Sequence, residues 1–312
     1  MLPALRELGG LATLKIISMS NGHLSPTDSA FYEGKTVLIT GANSGIGLEL
    51  SKCLSTVNGI KLVLVGRNAA AFVPLQKELD LRKVPYLIEI ADLSNRGAAV
   101  LLKERLGKNW QPSIVINNAG VGLYGECWQQ DNEALLEMMH TNMCAVVLLS
   151  KLFVPQMIEQ GSGGILNIAS IASFVPCPGL GVYGATKAFV KAFTESLREE
   201  VRPYGIRAVC FHPAGTRTQW LARATHGAVS EHRIPPHEPS EVALLALRAL
   251  ADNQSNRIAG FSNWLMVRVL SLLPRDWVAR RVFKRTSALA GEMRAKSNSG
   301  AHHADATKQM SV

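Results

Sequence analysis

The stretch that most constrains the fold is residues 35–50, KTVLITGANSGIGLEL. It combines a short apolar run, a glycine-rich turn and the start of an amphipathic helix. Glycines let the backbone turn sharply and approach a diphosphate closely, and the N–H groups at the start of a helix stabilise negative charge. The stretch therefore predicts a strand, a phosphate loop and a helix that bind a dinucleotide, although glycines after a strand can also serve only as a turn.

The spacing of the glycines adds information. Gly41, Gly45 and Gly47 stand at steps of four and two residues, whereas the commoner dinucleotide fingerprint has steps of two and three. The glycine spacing alone does not identify the kind of nucleotide-binding fold, so the motifs in the rest of the chain are needed as well.

Strand-like apolar runs alternate with helical patterns along the chain. The runs are 37–39, 61–65, 86–91, 113–116, 164–169 and 208–211, and the longest helical patterns are 132–160 and 183–201. Strands separated by helices predict a parallel sheet covered by helices on both faces. The fold class is therefore α/β, a doubly wound parallel sheet of the Rossmann type.

Composition divides the chain into four parts. The folded domain is predicted at 34–260, with an N-terminal extension at 1–33, a basic amphipathic extension at 261–296 and a tail at 297–312 whose composition predicts disorder. No apolar run reaches the 18 to 20 residues that a membrane-spanning helix needs. A single domain with two extensions is the expected organisation.

Polar residues and glycines follow the predicted strands. In a doubly wound sheet, ligands bind outside the carboxyl ends of the strands. Each of these residues alone is ordinary turn chemistry, but together they predict one ligand site. They are Arg67, Asp92, Asn118, Gly120, Ser170 and 213–218.

Along the chain, four motifs follow one another: TGANSGIG at 40–47, Asp92, NNAG at 117–120 and YGATK at 183–187. With these motifs at these separations, the chain resembles the short-chain dehydrogenase/reductase family over about 35–260. The resemblance implies a Rossmann fold, a nicotinamide cofactor and hydride transfer to or from a carbonyl carbon.

The resemblance implies a catalytic set of Ser170, Tyr183, Lys187 and Asn142. Ser170 is preferred to Ser173 because it precedes Tyr183 by the family's usual thirteen residues. Tyr183 and Lys187 lie four apart on one helix, so the ammonium is expected to favour the phenolate and lower its pKa. Tyr183 would exchange a proton with the substrate oxygen while Ser170 donates a hydrogen bond to it. Asn142 would help to place the lysine.

The resemblance also assigns cofactor contacts. The phosphate loop would bind through Gly41, Asn43, Ser44, Gly45, Ile46 and Gly47. Asp92 would lie beside the adenine, Asn118 and Gly120 along the adenosine ribose, and Tyr183 and Lys187 at the nicotinamide ribose. Pro213, Thr216 and Thr218 would meet the nicotinamide amide and the diphosphate.

The end of the second predicted strand bears on the form of the cofactor. An acidic residue there would bind a 2′-hydroxyl and repel a 2′-phosphate, but this chain has Gly66 and Arg67. A guanidinium can grip the phosphate. NADP(H) is therefore expected in preference to NAD(H).

The substrate side is predicted to be apolar. Trp220 and Leu221, with Phe174 and Val175, offer walls for a hydrophobic carbonyl or alcohol substrate, with Ser170 and Tyr183 at its oxygen. The histidines at 212, 226, 232 and 237 lack ligand spacing on a helix face, so no metal site is expected and they are interpreted as exposed loop residues.

Charge and cysteine content limit the partners. The formal net charge is +9, but no basic run with interleaved aromatic residues predicts nucleic-acid binding. The odd number of scattered cysteines favours a reducing compartment. Within 264–296, basic and apolar residues alternate, which is typical of a helix on a membrane surface, over the substrate cleft or against the domain. The location is expected to be cytoplasmic or peripheral to an intracellular membrane, with organelle targeting left open. A dimer or tetramer is implied by the resemblance.

The sequence thus predicts an NADPH-dependent reductase of a ketone or aldehyde. One alternative is a membrane-associated reductase of 3-oxoacyl chains or steroids, which would belong to lipid metabolism. Another is an NADP-binding sensor or scaffold without turnover.

Overall fold

A seven-stranded sheet forms the centre of the computed structural model, which describes residues 24–225, 227 and 237–284. Its order is β3-β2-β1-β4-β5-β6-β7, and all neighbours are parallel. The strands are β1 Thr36–Thr40, β2 Lys61–Gly66, β3 Tyr86–Ile90, β4 Ile114–Asn117, β5 Gly163–Ile168, β6 Ile206–His212 and β7 Asn256–Ile258. The predicted doubly wound parallel sheet is confirmed. The first six strands match the predicted runs, and β7 was not predicted.

Helices cover both faces of this sheet. They are α1 Pro26–Ala30, α2 Gly45–Leu54, α3 Val73–Leu81, α4 Ala98–Arg105, α5 Asn132–Met139, α6 Ala145–Glu159, α7 Gly181–Val201, α8 Trp220–Ala224, α9 Pro239–Ala251 and α10 Phe261–Ser271. Residues 275–284 are also helical and are called α11.

The strands are apolar throughout because each face of the sheet packs against helices. In β1, Val37 and Ile39 join the core shared with α2 and α9, whereas Leu38 between them joins the core shared with α4 and α6. All three side chains are fully buried. A half-exposed strand would alternate apolar and polar residues, so the continuous run reflects burial on both sides.

The predicted long helix over 132–160 is interrupted by one wide turn. A π-helical turn, His140–Cys144, joins α5 to α6. Such turns often occur at functional sites, because the extra residue changes which side chains face inward. Here Asn142 is fully buried.

The same stretch, Asn132–Glu159, is long and apolar enough to cross a bilayer by length and composition. In this fold it belongs to the protein core: Leu149, Phe153 and Met157 are buried under the sheet together with residues of β4 and β5. A core helix of a doubly wound sheet accounts for its hydropathy.

The chain before the predicted domain start also contributes to the core. Tyr32 is fully buried and its hydroxyl donates to the carbonyl of Leu247 in α9, at 2.7 Å. Leu24 is 8% exposed in the same cluster. The described core therefore includes residues from 24 onward, ten before the predicted boundary at 34.

Gly47, in the first turn of α2, sets how closely this helix approaches the end of β1. A Cβ atom at Gly47 would lie 2.1 Å from the carbonyl oxygen of Gly41 and 2.5 Å from the Asn118 amide nitrogen. Both contacts are far shorter than a carbon can make, so α2 can hold this position only with glycine there.

We therefore expect Gly47→Ala to lower the free energy of unfolding by about 2 kcal/mol or more, because backbone must move to admit the methyl group. Gly107→Ala is the matched control, since Gly107 has ordinary backbone angles and open space around it. That change should leave stability within about 1 kcal/mol. Urea unfolding of both variants measures the difference, and equal stabilities would contradict this packing.

Candidate active site

One cavity of about 770 Å³ opens at the carboxyl ends of the strands. Nearly all the predicted site residues line it: Gly41, Asn43, Ser44, Gly45, Ile46, Arg67, Asp92, Asn118, Gly120, Ser170, Tyr183, Lys187, Pro213, Thr216, Thr218 and Trp220. The two that do not, Gly47 and Asn142, lie behind the cavity wall. The structure thus brings the predicted residues together around a single space.

The phosphate loop and the loop after β4 are joined by hydrogen bonds. The Thr40 hydroxyl accepts from the backbone N–H groups of Asn118, at 3.0 Å, and Ala119, at 2.9 Å. The Asn118 amide donates back to the Thr40 carbonyl at 2.9 Å. The two loops therefore form one rigid floor of the cavity.

The turn above this floor fits a diphosphate. Gly41 and Gly45 have φ angles of +66° and +53°, which favour glycine, and they aim the chain into α2. Ser44 stands at the N-cap position but makes no capping hydrogen bond from its side chain. The first N–H groups of α2 thus remain available for an anionic oxygen at the helix's positive end.

Arg67 and Asp92 face each other at the outer end of the cavity. Arg67 Nη1 lies 3.8 Å from Asp92 Oδ2, and both side chains are partly exposed. Partial burial raises the pKa of Asp92, but the hydrogen bonds from Ser94 and the charge of Arg67 outweigh it and hold that pKa below its usual value. The cavity thus ends in a guanidinium beside an ionised carboxylate.

Tyr183 lies inside the cavity wall as a neutral phenol. Burial raises the pKa of its hydroxyl to about 12, while a hydrogen bond with the Ser170 side chain acts in the opposite direction. The sequence predicts a pKa below the usual value for Tyr183, but burial is the largest influence and places this pKa above it. Tyr183 therefore keeps its proton at neutral pH.

Lys187 is almost fully buried, at 4% exposed. Its ammonium donates to the carbonyl of Ile168 at the end of β5, at 2.9 Å, and lies 5.8 Å from the centre of the Tyr183 ring. Burial lowers the pKa of Lys187 to about 8. Its positive charge is therefore present below about pH 8 and lost above it.

Asn142 holds the loop after β4 against α7. Its side chain accepts from the Val121 N–H at 3.0 Å, donates to the Val121 carbonyl at 2.9 Å and donates to the Thr186 hydroxyl at 3.1 Å. Gly120 between these elements lies so close that a Cβ there would be 3.2 Å from the Lys187 ammonium. Asn142 thus places the wall beside Lys187, and it contacts Thr186 rather than the lysine.

Trp220 forms an apolar lid over the tyrosine. Its ring centre lies 4.8 Å from that of Tyr183. A Cβ at Gly122 would lie only 2.2 Å from the indole, so this ring packs directly on backbone. Val175 and Leu221 line the cavity as predicted, but Phe174 does not, because it packs against His212 with ring centres 4.7 Å apart.

His212 also differs from its predicted position. It is fully buried at the end of β6, not exposed in a loop, and its ring nitrogens lie 3.1 Å from the Ser170 carbonyl and 3.0 Å from Asn256 Oδ1. A single polar residue at the end of an apolar strand carries no signal that separates these two environments. Within the residues that the structure describes, no group of three histidine, cysteine or acidic side chains could hold a metal ion.

Three residues that shape the site received no role from the sequence: Thr40, Gly122 and Thr186. Thr40 and Thr186 stand inside the quoted motifs, but their roles depend on contacts between distant segments, which the local sequence does not encode. The role of Thr40 could have been proposed, since its hydroxyl at the very end of β1 stands where the phosphate loop begins.

Comparison with known proteins agrees with this geometry. Residues 35–228 match the family model described as short chain dehydrogenase. The chain is 30% identical over 277 residues to dehydrogenase/reductase SDR family member 7B of Xenopus laevis, covering 83% of this chain and 85% of that protein.

Solved structures show the same likeness. A short-chain dehydrogenase from Sphingobium yanoikuyae in complex with NADPH has a TM-score of 0.68 at 31% identity, covering 76% of this chain and 94% of the other. The bulky-bulky ketone specific alcohol dehydrogenase from Comamonas testosteroni has a TM-score of 0.65 at 28% identity, covering 76% and 92%. The chain belongs to the short-chain dehydrogenase/reductase family and is an NAD(P)-dependent oxidoreductase.

The lysine pKa gives a test of the site's charge. If the Lys187 ammonium binds cofactor, the NADPH dissociation constant should be steady near pH 7 and rise as the pH passes about 8, because the charge is then lost. Lys187→Met should bind more weakly and without this alkaline rise. Fluorescence titration between pH 6.5 and 9.5 measures both, and a wild-type affinity that stays constant above pH 8 would exclude this role.

Proposed function

We propose that this protein is an NADPH-dependent reductase of bulky apolar ketones or aldehydes. The observation that carries the proposal is the convergence of Ser170, Tyr183 and Lys187 on one cavity wall, with an apolar lid above the phenol. Bound NADPH would supply a hydride for the carbonyl carbon. The residues of this chain supply the proton, hold the oxygen and shield the reaction from water.

The tyrosine is in the protonation state that reduction needs. With a pKa of about 12, the Tyr183 hydroxyl carries the proton that it gives to the substrate oxygen. Ser170, hydrogen-bonded to the same phenol, donates to that oxygen as negative charge develops. Lys187, charged below about pH 8, stabilises the phenolate that remains.

Arg67 supports a preference for NADP(H) over NAD(H). It stands at the end of β2, where a carboxylate would bind a ribose hydroxyl instead. Its side chain is 58% exposed and lies at the ion-pairing limit from Asp92, so it is free to turn toward a phosphate. The NADPH complex of the Sphingobium relative is in keeping with this assignment.

The cofactor contacts follow the cavity. We assign the diphosphate to the loop 41–47, the adenosine end to Asp92, Asn118 and Gly120, and the nicotinamide end to Tyr183 and Lys187. Pro213, Thr216 and Thr218 close the other side of that end. Thr218 packs near Gly45, where a Cβ would lie 3.1 Å from its methyl group, so these two segments can enclose the diphosphate between them.

The apolar lid over Tyr183 favours a large apolar substrate. Trp220, Val175 and Leu221 present apolar surface beside Tyr183, and a carbonyl with two large apolar substituents would bury most surface there. The Comamonas relative is described as specific for bulky-bulky ketones.

A panel of ketones and aldehydes, monitored by the nicotinamide absorbance, tests the activity. We expect NADPH to be consumed with bulky apolar ketones and the corresponding alcohol to be recovered. Tight NADPH binding with no turnover on any carbonyl would refute the reductase and favour the sensor or scaffold.

Arg67→Ala tests the cofactor preference. We expect it to weaken NADPH binding about 10- to 100-fold, as loss of a hydrogen bond to a charged group does, and to leave NADH binding unchanged. Arg82→Ala is the control, because Arg82 is also an exposed arginine in an ion pair, with Glu78 at 3.0 Å. Equal losses for NADPH and NADH would show that Arg67 does not read the 2′-phosphate.

A membrane-peripheral form of this reductase is favoured by one surface, formed by α10 and α11 and here called the C-terminal surface. Within α10 only Val267 is buried. Eight large apolar side chains are exposed: Phe261, Trp264, Leu265, Met266, Val269, Leu272, Trp277 and Phe283. A soluble helix normally hides such side chains.

The positive charge of the C-terminal surface indicates which kind of partner it binds. Five basic side chains are exposed on it beside Asp276: Arg268, Arg275, Arg280, Arg281 and Lys284. Arg268 and Arg281 lie over the rings of Trp264 and Trp277, a pairing suited to the headgroup region. We propose that this surface docks on an anionic lipid surface. Because α10 directly follows β7, it lies at the cavity's edge of the sheet, where a 3-oxoacyl chain or steroid could enter from lipid.

Vesicle flotation tests this docking. The protein should float with vesicles containing phosphatidylserine and much less with phosphatidylcholine alone. Leu272→Glu, at a position 86% exposed, should lower that binding about tenfold or more, whereas Leu81→Glu on α3, at 85% exposed, should not. Equal flotation of both variants would contradict the proposal, as would dimer formation that requires Leu272.

Two exposed apolar surfaces bear on where the protein is found and how it assembles. A cytoplasmic protein, free or held at an intracellular membrane by the C-terminal surface, is our proposed location. Exposed apolar side chains on α5 and α7, namely Leu136, Met139 and Phe189, support a dimer or tetramer through these helices.

A further inference from the structure

His212 sits directly behind the proposed catalytic serine. It ends β6, has no exposed surface, and one ring nitrogen, Nδ1, faces the backbone carbonyl of Ser170 at 3.1 Å. The other, Nε2, faces Asn256 Oδ1 at 3.0 Å. The amide nitrogen of Asn256 donates to Glu195 at 2.9 Å, and Lys191 pairs with Glu195 at 2.8 Å. A hydrogen-bonded chain therefore runs from the surface of α7 to the backbone of Ser170.

The partners of the two His212 ring nitrogens determine how many protons the ring carries. A neutral imidazole has one N–H donor, whereas both ring nitrogens here face oxygen atoms, so this arrangement needs an imidazolium. If the Asn256 amide is rotated by half a turn, the ring can be neutral, because the Asn256 NH₂ then donates to Nε2. The Asn256 oxygen then faces the Glu195 carboxylate, so Glu195 must either turn away or be protonated. In both states the proton on Nδ1 remains and is donated to the Ser170 carbonyl.

Burial favours the neutral state at physiological pH. It holds the pKa of His212 below its usual value, although the hydrogen bonds to Asn256 and Ser170 act in the opposite direction. Of the charged groups that act on the ring, Glu195 favours the second proton and Lys191 opposes it.

The Ser170 carbonyl belongs to a short turn that carries the serine hydroxyl. It also accepts from the Ser173 hydroxyl at 2.6 Å, and the next N–H, that of Ile171, donates to the Pro213 carbonyl at 3.0 Å. His212 and Pro213, which follow each other at the end of β6, thus both hold this turn by hydrogen bonds. Because a displacement of about 1 Å at a reacting group can lower a rate about 100-fold, the placement of this turn matters for the chemistry.

We propose that His212 is a positioning residue for Ser170: its Nδ1–H holds the serine's carbonyl, and Asn256 together with Glu195 sets whether the ring carries one proton or two. The role in turnover rests on the proposed reductase function, while the hydrogen bond itself does not.

Two substitutions separate this role from simple packing. An asparagine amide reaches as far from the backbone as His212 Nδ1, and a glutamine amide as far as Nε2. His212→Asn can therefore keep the donor to Ser170, whereas His212→Gln, although closer to histidine in size, cannot. We expect kcat within about threefold of wild type for His212→Asn and about 10- to 100-fold lower for His212→Gln, with KM and NADPH affinity little changed in both.

Cys210→Ala is the matched control, because Cys210 lies two residues earlier on β6 and is equally buried, whereas it is His212 that faces the Ser170 carbonyl. It should keep kcat within about twofold. Equal losses in His212→Asn and His212→Gln, or a loss in Cys210→Ala as large as in His212→Gln, would overturn the proposal.

Nitrogen-15 NMR of the histidine rings provides a readout that needs no turnover and can be made on the wild-type protein. At pH 8, His212 should carry its proton on Nδ1, with Nε2 unprotonated, and it should take up a second proton only on acidification. Glu195→Gln, at a partly exposed position, should move that uptake to lower pH. A proton on Nε2 with Nδ1 bare would overturn the proposal even if the reductase activity is found. Absence of wild-type turnover on every carbonyl would instead refute the proposed function and leave the NMR result to decide the hydrogen bond.

Discussion

The hydrogen bonds between the ends of β1 and β4 are the constraint on which the rest of the site depends. Thr40 and Asn118 tie the phosphate loop to the loop that carries Gly120, and this is possible only because Gly47 has no side chain. The same loop is held from behind by Asn142 in the π-turn. The place for a diphosphate and the wall beside Lys187 are therefore parts of one rigid unit.

Burial then gives the site its chemistry. The same exclusion of water that raises the tyrosine pKa lowers that of the lysine, since in each case the neutral form is favoured. A protonated phenol suits reduction of a carbonyl, and Trp220 above it suits an apolar substrate. The protonated state of Tyr183 that the proposed reduction needs thus follows from its burial.

Much of this could be predicted from the sequence, because strands buried on both faces appear as unbroken apolar runs and ligand residues follow them. The phosphate loop, Arg67, Asp92 and the residues after β4, β5 and β6 were identified in this way, whereas Tyr183 and Lys187 came from the resemblance to the family. Other features depend on contacts between distant segments. The burial of His212, the packing of Phe174 against it and the addition of β7 beside β6 are set by the assembled sheet. The π-turn likewise gives no periodic signal, since it adds one residue within a continuous helix.

The measurement that tests the central claim most directly is a single turnover of the NADPH complex with a bulky ketone, in wild type and in Tyr183→Phe. We expect rapid loss of the nicotinamide absorbance in the wild type. In the variant NADPH should still bind, with almost no hydride transfer, because the phenol proton is missing. Transfer at a similar rate in Tyr183→Phe would contradict the assignment of Tyr183 as the proton donor.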